Sequence, residues 1–303
     1  MAPWRSPGFS LEAAMITGID HITLGVADLD DGIASFRRLG FNVRRGGAHP
    51  GRGTHNAIAW NTADYLELLA IRDEAEYRAA SASGGGFARF VAAGGGIYTI
   101  ALASDSLDAD VAAMRARGAM ISEPVDGARV TPEGEELRWR YAMLDAGHGL
   151  PLAFIEHHVP LAGRRPAGAG HPNAVFALER AYIVVDDAAA GALALAGILG
   201  LAAPPLQKGI VIMSHMAIFQ LGPTGLGIVQ PYADGPAARA LAERGPGAFQ
   251  ALYRTTSMGA AARWMAEQGM PALERGVRNT GEHAMLATPA EGCGAYIGFV
   301  GPE

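Results

Sequence analysis

Four stretches of this 303-residue chain follow one grammar: a short apolar strand, an Asp or Ser, an Ala-rich amphipathic helix, a Gly, then another strand. The first runs from Ile19–Val26 through Asp28 and a helix to Arg38, Gly40 and Phe41–Val43. The second runs from Ile97–Ala103 through Asp105 and a helix to Arg117, Gly118 and Met120–Ile121. The third runs from Tyr182–Val185 through Asp187 and a helix to Leu199 and Gly200. The fourth runs from Phe249–Tyr253 through Ser257 and a helix to Gln268 and Gly269. A β-rich run makes a strand, the Asp or Ser accepts hydrogen bonds from the free amides of a helix start, and the Gly supplies the left-handed residue that ends the helix.

Strand-like runs after each helix extend the unit. They lie at 41–45, 54–60 and 65–71 in the first copy, and at 120–124, 137–144 and 152–156 in the second. The third copy has 209–213 (weak), 215–221 and 226–230, and the fourth 271–277, 282–287 and 295–300. The unit is therefore β-α-β-β-β, and the predicted class is α+β. One such unit cannot cover its own sheet, so the four are expected to pair into two domains. The seam falls in a Pro-, Gly- and Arg-rich stretch without periodicity. The expected layout is a disordered extension at 1–14, a first domain at 15–160, a linker at 161–174 and a second, degenerate domain at 175–303. Residues 72–96 form a connector with helix potential at 73–82.

Composition narrows the function. A net charge of −6, with 18% charged residues, offers no basic face for nucleic acid. Cys293 is the only cysteine, so neither an internal disulfide nor a thiolate metal centre is available. No apolar run reaches a membrane-spanning length and the N-terminus has no signal-peptide core, so a cytoplasmic protein is expected. The triplets Gly84–Gly86 and Gly94–Gly96 follow no strand and precede no Walker lysine, which argues against a phosphate loop.

Paired β-α-β-β-β units, with the opening Ile19-Asp-His-Ile-Thr-Leu-Gly-Val-Ala-Asp-Leu29, resemble the vicinal-oxygen-chelate superfamily. Further motifs resemble its glyoxalase-like domain group: Gly46-Gly-Ala-His-Pro-Gly-Arg-Gly-Thr-His-Asn56, Tyr65-Leu-Glu-Leu68, Leu137-Arg-Trp-Arg140, Leu150-Pro-Leu152 and His171-Pro-Asn173. The likeness covers roughly residues 18–175; the remainder follows the superfamily through the repeat alone. It implies a divalent metal (Zn, Fe, Mn, Ni or Co) on the concave face of the sheet, held by His21 and Glu67 at the family's two ligand positions. A His nitrogen and a carboxylate oxygen suit such ions. The plainer alternative pairs Glu67 with Arg52 or Arg140 and leaves His21 in a local hydrogen bond.

Aligning Asp28 with Asp105 puts Tyr98 opposite His21, and Ala153 or Phe154 opposite Glu67, so the second unit brings no ligands. Ala181, Gly227, Gln250 and Gly298 stand at the corresponding places of the last two units. Glu156 and His49 are the candidate third ligand or general base, because a His titrates near neutral pH. His49 reads equally well as an exposed turn residue. Thr54, Asn56, Trp60, Tyr98, Trp139, Arg140 and Phe154 are the expected substrate contacts, although core packing is the plainer account of any one of the aromatic residues. His55 is read as structural, and His157 and His158 as solvent-facing.

Two functions follow. One is a metal-dependent lyase or isomerase that stabilises an enolate-like oxyanion on a small oxygenated metabolite. The other is a metal-free protein that sequesters a small molecule, as bleomycin-type resistance proteins do. Oxygenase activity is not expected, because the C-terminal units lack the His, His, Glu set that such enzymes carry there. Paired units in one chain make a monomer workable, and a homodimer is compatible with the resemblance.

Overall fold

The computed structural model describes residues 16–81, 85–145, 149–271 and 273–303. The extension expected at 1–14 therefore lies outside the described residues. The repeat is built as anticipated, in a mixed α+β architecture of two eight-stranded sheets. The first unit comprises β1 (Ile16–Gly25), α1 (Leu29–Arg38), β2 (Val43–His49), β3 (Thr54–Trp60) and β4 (Tyr65–Ile71). Two connector helices follow, α2 (Glu74–Ala80) and α3 (Gly86–Ala92). The second unit is β5 (Gly96–Ser104), α4 (Leu107–Ala116), β6 (Val125–Val130), β7 (Glu136–Met143) and β8 (Leu152–His157). After the short α5 (Leu161–Arg164) come β9 (Val175–Val184), α6 (Ala188–Leu199), β10 (Gln207–Gly209), β11 (Ser214–Leu221) and β12 (Thr224–Pro231). Then follow α7 (Pro236–Arg244), β13 (Gly247–Thr255), α8 (Met258–Glu267), β14 (Glu274–Val277), β15 (His283–Ala287) and β16 (Tyr296–Gly301).

Helix starts and stops have the chemistry read from the repeat. Asp28 accepts from the amides of Asp30 and Asp31, Asp187 from those of Ala189 and Ala190, and Ser257 from that of Ala260. Gly40, Gly118, Gly200 and Gly269 all have positive φ. In the second unit the cap is Ser106, not Asp105, and its side chain makes no capping bond. The Glu156 carboxylate accepts the Leu107 amide instead, at 3.0 Å.

The first sheet has the order β1-β4-β3-β2-β6-β7-β8-β5 and closes into a barrel. Strands β1 and β5 pair antiparallel, while β1–β4 and β5–β8 are parallel. Closure rests on a narrow seam, the pairing of Ala48 with Val130, supported by a bond from the Arg129 guanidinium to the Gly46 carbonyl. The second sheet, β10-β11-β12-β9-β13-β16-β15-β14, stays open.

Some boundaries differ from the sequence reading. Residues 120–124 make one bridge, Ile121 with Leu144, and the strand proper starts at Val125, beyond Pro124, which has no amide to donate. The polar run Val125–Val130 carries no apolar alternation to announce it. In the third unit the strand ends at Gly209, and a turn follows where residues 209–213 were expected. Helices α3 and α7 were not anticipated. One apolar cluster runs across both sheets, joining Phe41, Phe36 of α1 and Phe154 of β8 to Tyr253 and Phe299 of the second sheet. No helix among the described residues is long and apolar enough to cross a membrane.

Candidate functional site

The barrel encloses a cavity of about 450 Å³ with two unlike walls. Strands β1 to β4 carry its polar groups, His21, Thr23, His49, Thr54, Asn56 and Glu67, beside the apolar Ile58, Trp60, Tyr65 and Leu69. Inward residues of β7 and β8 make the apolar wall: Leu137, Trp139, Tyr141, Met143, Ala153 and Ile155. Strand alternation explains the division, since every second side chain faces the lumen.

Register brings His21 and Glu67 together. Parallel pairing of β1 with β4 sets His21 beside Tyr65 and Thr23 beside Glu67. The imidazole stacks on the Tyr65 ring at 4.5 Å between centroids. Asp20 would point the other way on a regular strand, but the register shifts between Ile19 and His21. Asp20 Oδ1 thereby lies 2.8 Å from His21 Nδ1 and 3.2 Å from His157 Nε2, while Arg164 donates to Oδ2 at 3.3 Å. Burial works to raise the Asp20 carboxyl, but the bonds and charges of His157 and His21 outweigh it and hold Asp20 well below the usual carboxylate range. As an anion, Asp20 requires a proton on each of those ring nitrogens.

The other nitrogen of His21, Nε2, then faces Glu67 Oε2 at 3.7 Å. Glu67 already accepts from Thr23 Oγ1 at 2.9 Å and from Asn56 Nδ2 at 2.5 Å. Burial pushes its pKa up, but His21, His49 and these two bonds together bring it below the ordinary value. An imidazole lone pair and a carboxylate that face one another in a buried site call for positive charge between them. A proton on His21 meets that need, and so does a divalent cation, since two bonds of about 2.1 Å reach across this gap. With Asp20 holding Nδ1, His21 has the carboxylate–histidine arrangement that orients a ligand. Asp20, His21 and His157 also lie close enough to hold an ion, with candidate atoms within 4.8 Å of one another. Those atoms are hydrogen-bonded to one another, whereas His21 Nε2 makes no hydrogen bond among the described residues and faces Glu67.

His49 lies in the same wall, buried, its Nδ1 2.9 Å from Thr54 Oγ1. Burial lowers its pKa against the pull of Glu67, which favours a neutral ring. Asn56 Oδ1 is buried with no hydrogen-bond partner. A Cβ on Gly46 would collide with that oxygen, so glycine there makes room for the amide.

Of the expected site residues, His21, Glu67, His49, Thr54, Asn56, Trp60, Tyr98 and Trp139 line the cavity. Three do not, and parity is the reason. Phe154 and Glu156 alternate with the inward Ala153 and Ile155. Phe154 is fully buried in the shared core, and Glu156 serves the start of α4. Arg140 alternates with Trp139 and Tyr141 and forms a bidentate pair with Asp108 on the outer surface, at 2.7 and 2.9 Å. His157, read as solvent-facing, is turned inward to Asp20.

Register also corrects the equivalence between units. His21 pairs with Ala101 and Thr23 with Thr99, so the internal two-fold relates His21 to Thr99 rather than Tyr98. Glu67 pairs with Thr23 as Ala153 pairs with Ala101, which makes Ala153 its counterpart. In the second sheet the same logic gives Arg180, Gly227, Gln250 and Gly298. Thr23, Asp20, Arg129 and Arg164 complete the surroundings and were missed. Alternation from His21 would have found Thr23; nothing local marks the others.

The chain matches the family of the glyoxalase-like domain over residues 19–199. No curated protein matches it in sequence. Among solved structures, a hypothetical protein from Staphylococcus aureus superposes with a TM-score of 0.64 at 14% identity, covering 94% of this chain and 99% of that one. A mutant 4-hydroxymandelate synthase from Streptomyces coelicolor gives 0.63 at 13% identity, covering 94% and 92%. A fusion of a xylose isomerase-like TIM barrel with 4-hydroxyphenylpyruvate dioxygenase gives 0.59 at 12% identity, covering 94% of this chain and 49% of that one. At these identities the likeness is one of fold.

Proposed function

This chain belongs to the glyoxalase-like domain family of the vicinal-oxygen-chelate superfamily, and from that membership we propose a divalent-metal-dependent lyase or isomerase acting on a small oxygenated metabolite. Members of the superfamily are often metal-dependent enzymes. The observation that carries the proposal is Nε2 of His21 facing the buried Glu67 carboxylate, with Asp20 holding the far side of the ring. His21 and Glu67 are the residues that would hold the ion. When bound, a divalent cation supplies Lewis acidity that steadies an enolate-like oxyanion.

The chain's own groups do the rest. His49, neutral and tied to Thr54, takes a proton from substrate at its free ring nitrogen. Thr23 and Asn56 fix Glu67 in one orientation. Trp139, Tyr141 and Met143 exclude water from the opposite wall and strengthen every charge interaction in the lumen.

Metal analysis of purified protein tests this reading. Stoichiometric metal is expected in the wild type and is lost in His21→Ala and Glu67→Gln without loss of fold. A metal-dependent exchange of α-protons of small dicarbonyl compounds into D2O is expected to fall roughly 10²–10⁴-fold in His49→Gln. A second reading, metal-free sequestration, draws on Thr99 and Ala153, which bring no ligand from the second unit. Metal-free protein that binds a ligand equally well in both ligand variants would establish it instead.

A further inference from the structure

Arg129 reaches the lumen from β6, at the seam where the barrel closes, and is only 8% exposed. Its guanidinium donates to the Gly46 carbonyl. Among the described residues no carboxylate oxygen lies within 4.0 Å of it, whereas Arg164, which also lines the cavity, has Asp20. A guanidinium carries five donors, and burying a cation with no carboxylate in contact is costly. Such a cost persists where a ligand supplies the missing charge. The adjoining wall, in which Leu137 is the cross-strand neighbour of Arg129 and Trp139, Tyr141, Met143 and Ile155 follow, has no charge to offer, but it suits an apolar or aromatic body.

We infer that the lumen takes a small organic carboxylate, with its anionic end paired to Arg129 and its apolar body along β7 and β8. The inference deepens the proposed function by naming a substrate class, and it rests on that reading only for the location of the site. Glu67 does not forbid an anion there, because His21, Thr23 and Asn56 already engage it. A bidentate, charge-assisted pair discriminates a carboxylate from its neutral amide by at least about tenfold.

The test is calorimetric binding of phenylacetate and hexanoate, each against its own amide, to chelator-treated full-length protein. The expected result is acids at least tenfold tighter than amides. Arg129→Gln should shrink that preference below about twofold, while Arg129→Lys, keeping the charge, retains part of it. Amides binding as tightly as acids, no acid binding at millimolar concentration, or a preference that survives in Arg129→Gln would each overturn the inference. Should Arg129→Gln fail to fold because the seam opens, the wild-type acid-to-amide ratio and Arg129→Lys decide it. Chelation removes metal from the measurement, so acid selectivity in a protein that never binds metal would sink the catalytic reading and leave this one standing.

Discussion

Glu67, His21 and Asn56 form a chain of contacts in which each member needs the next to be held still. Gly46 bounds that chain from behind, because a side chain there would meet Asn56 Oδ1. Gly46→Ala is therefore expected to destabilise the fold by about 1–3 kcal/mol through overpacking. It should also turn the amide away from Glu67, and urea melts with metal titration would reveal both effects. His171 provides a second residue-level prediction. The Asn42 amide donates to its Nδ1 at 2.9 Å, so that nitrogen is the acceptor, and Nε2 carries the proton toward Asn61 Oδ1 at 3.1 Å. Burial, helped by Arg165, lowers its pKa to about 4. The unfolded chain therefore binds more protons between about pH 4 and 6.5, and the stability tied to a neutral His171 is lost as pH falls through that window. The stability difference between wild type and His171→Gln should shrink by about 3 kcal/mol from pH 7 to pH 4. Denaturation midpoints at several pH values would check it, and a constant difference would contradict the assignment.

Helix α4 shows how an element borrows from its neighbours. Its N-cap Ser106 makes no side-chain bond to the helix, and Glu156 on β8 satisfies the Leu107 amide instead. Glu156→Ala should cost about 1 kcal/mol, as loss of a cap does, and leave ligand binding in the lumen unchanged. Thermal denaturation alongside ligand titration separates this from a role in the site. The strands show the converse. On β8 and β7 a shift of one position decides whether a side chain meets substrate or core, and the sequence motif does not reveal which face is inward. Hence Trp139 lines the lumen while Arg140, next to it in the same motif, lies outside.

The whole molecule is joined by a core that both sheets share. Phe41, 1% exposed, packs against Phe36 and His171 and against Tyr253 and Phe299 of the second sheet. Trp264 Nε1 donates to the Arg37 carbonyl, and the Leu178 amide donates to Asp64. Phe41→Ala should cost about 3–5 kcal/mol. Both halves are expected to unfold together, with coincident fluorescence and far-UV transitions. Two separated transitions would show the halves to be independent.

The four-fold β-α-β-β-β repeat and three of its four helix caps were legible in the chain itself, because they depend on local chemistry at fixed spacing: a strand, a cap, a left-handed Gly, a period of two. Only the family resemblance singled out His21 and Glu67, and the parallel register of β1 with β4 is what brings them together. Closure of the first sheet, the inward turn of Asp20 and His157, the outward turn of Phe154, Glu156 and Arg140, and the arrival of Arg129 in the lumen were decided only in three dimensions. Each depends on register between strands distant in sequence, and a one-residue shift there exchanges the two faces of a strand without changing any local preference.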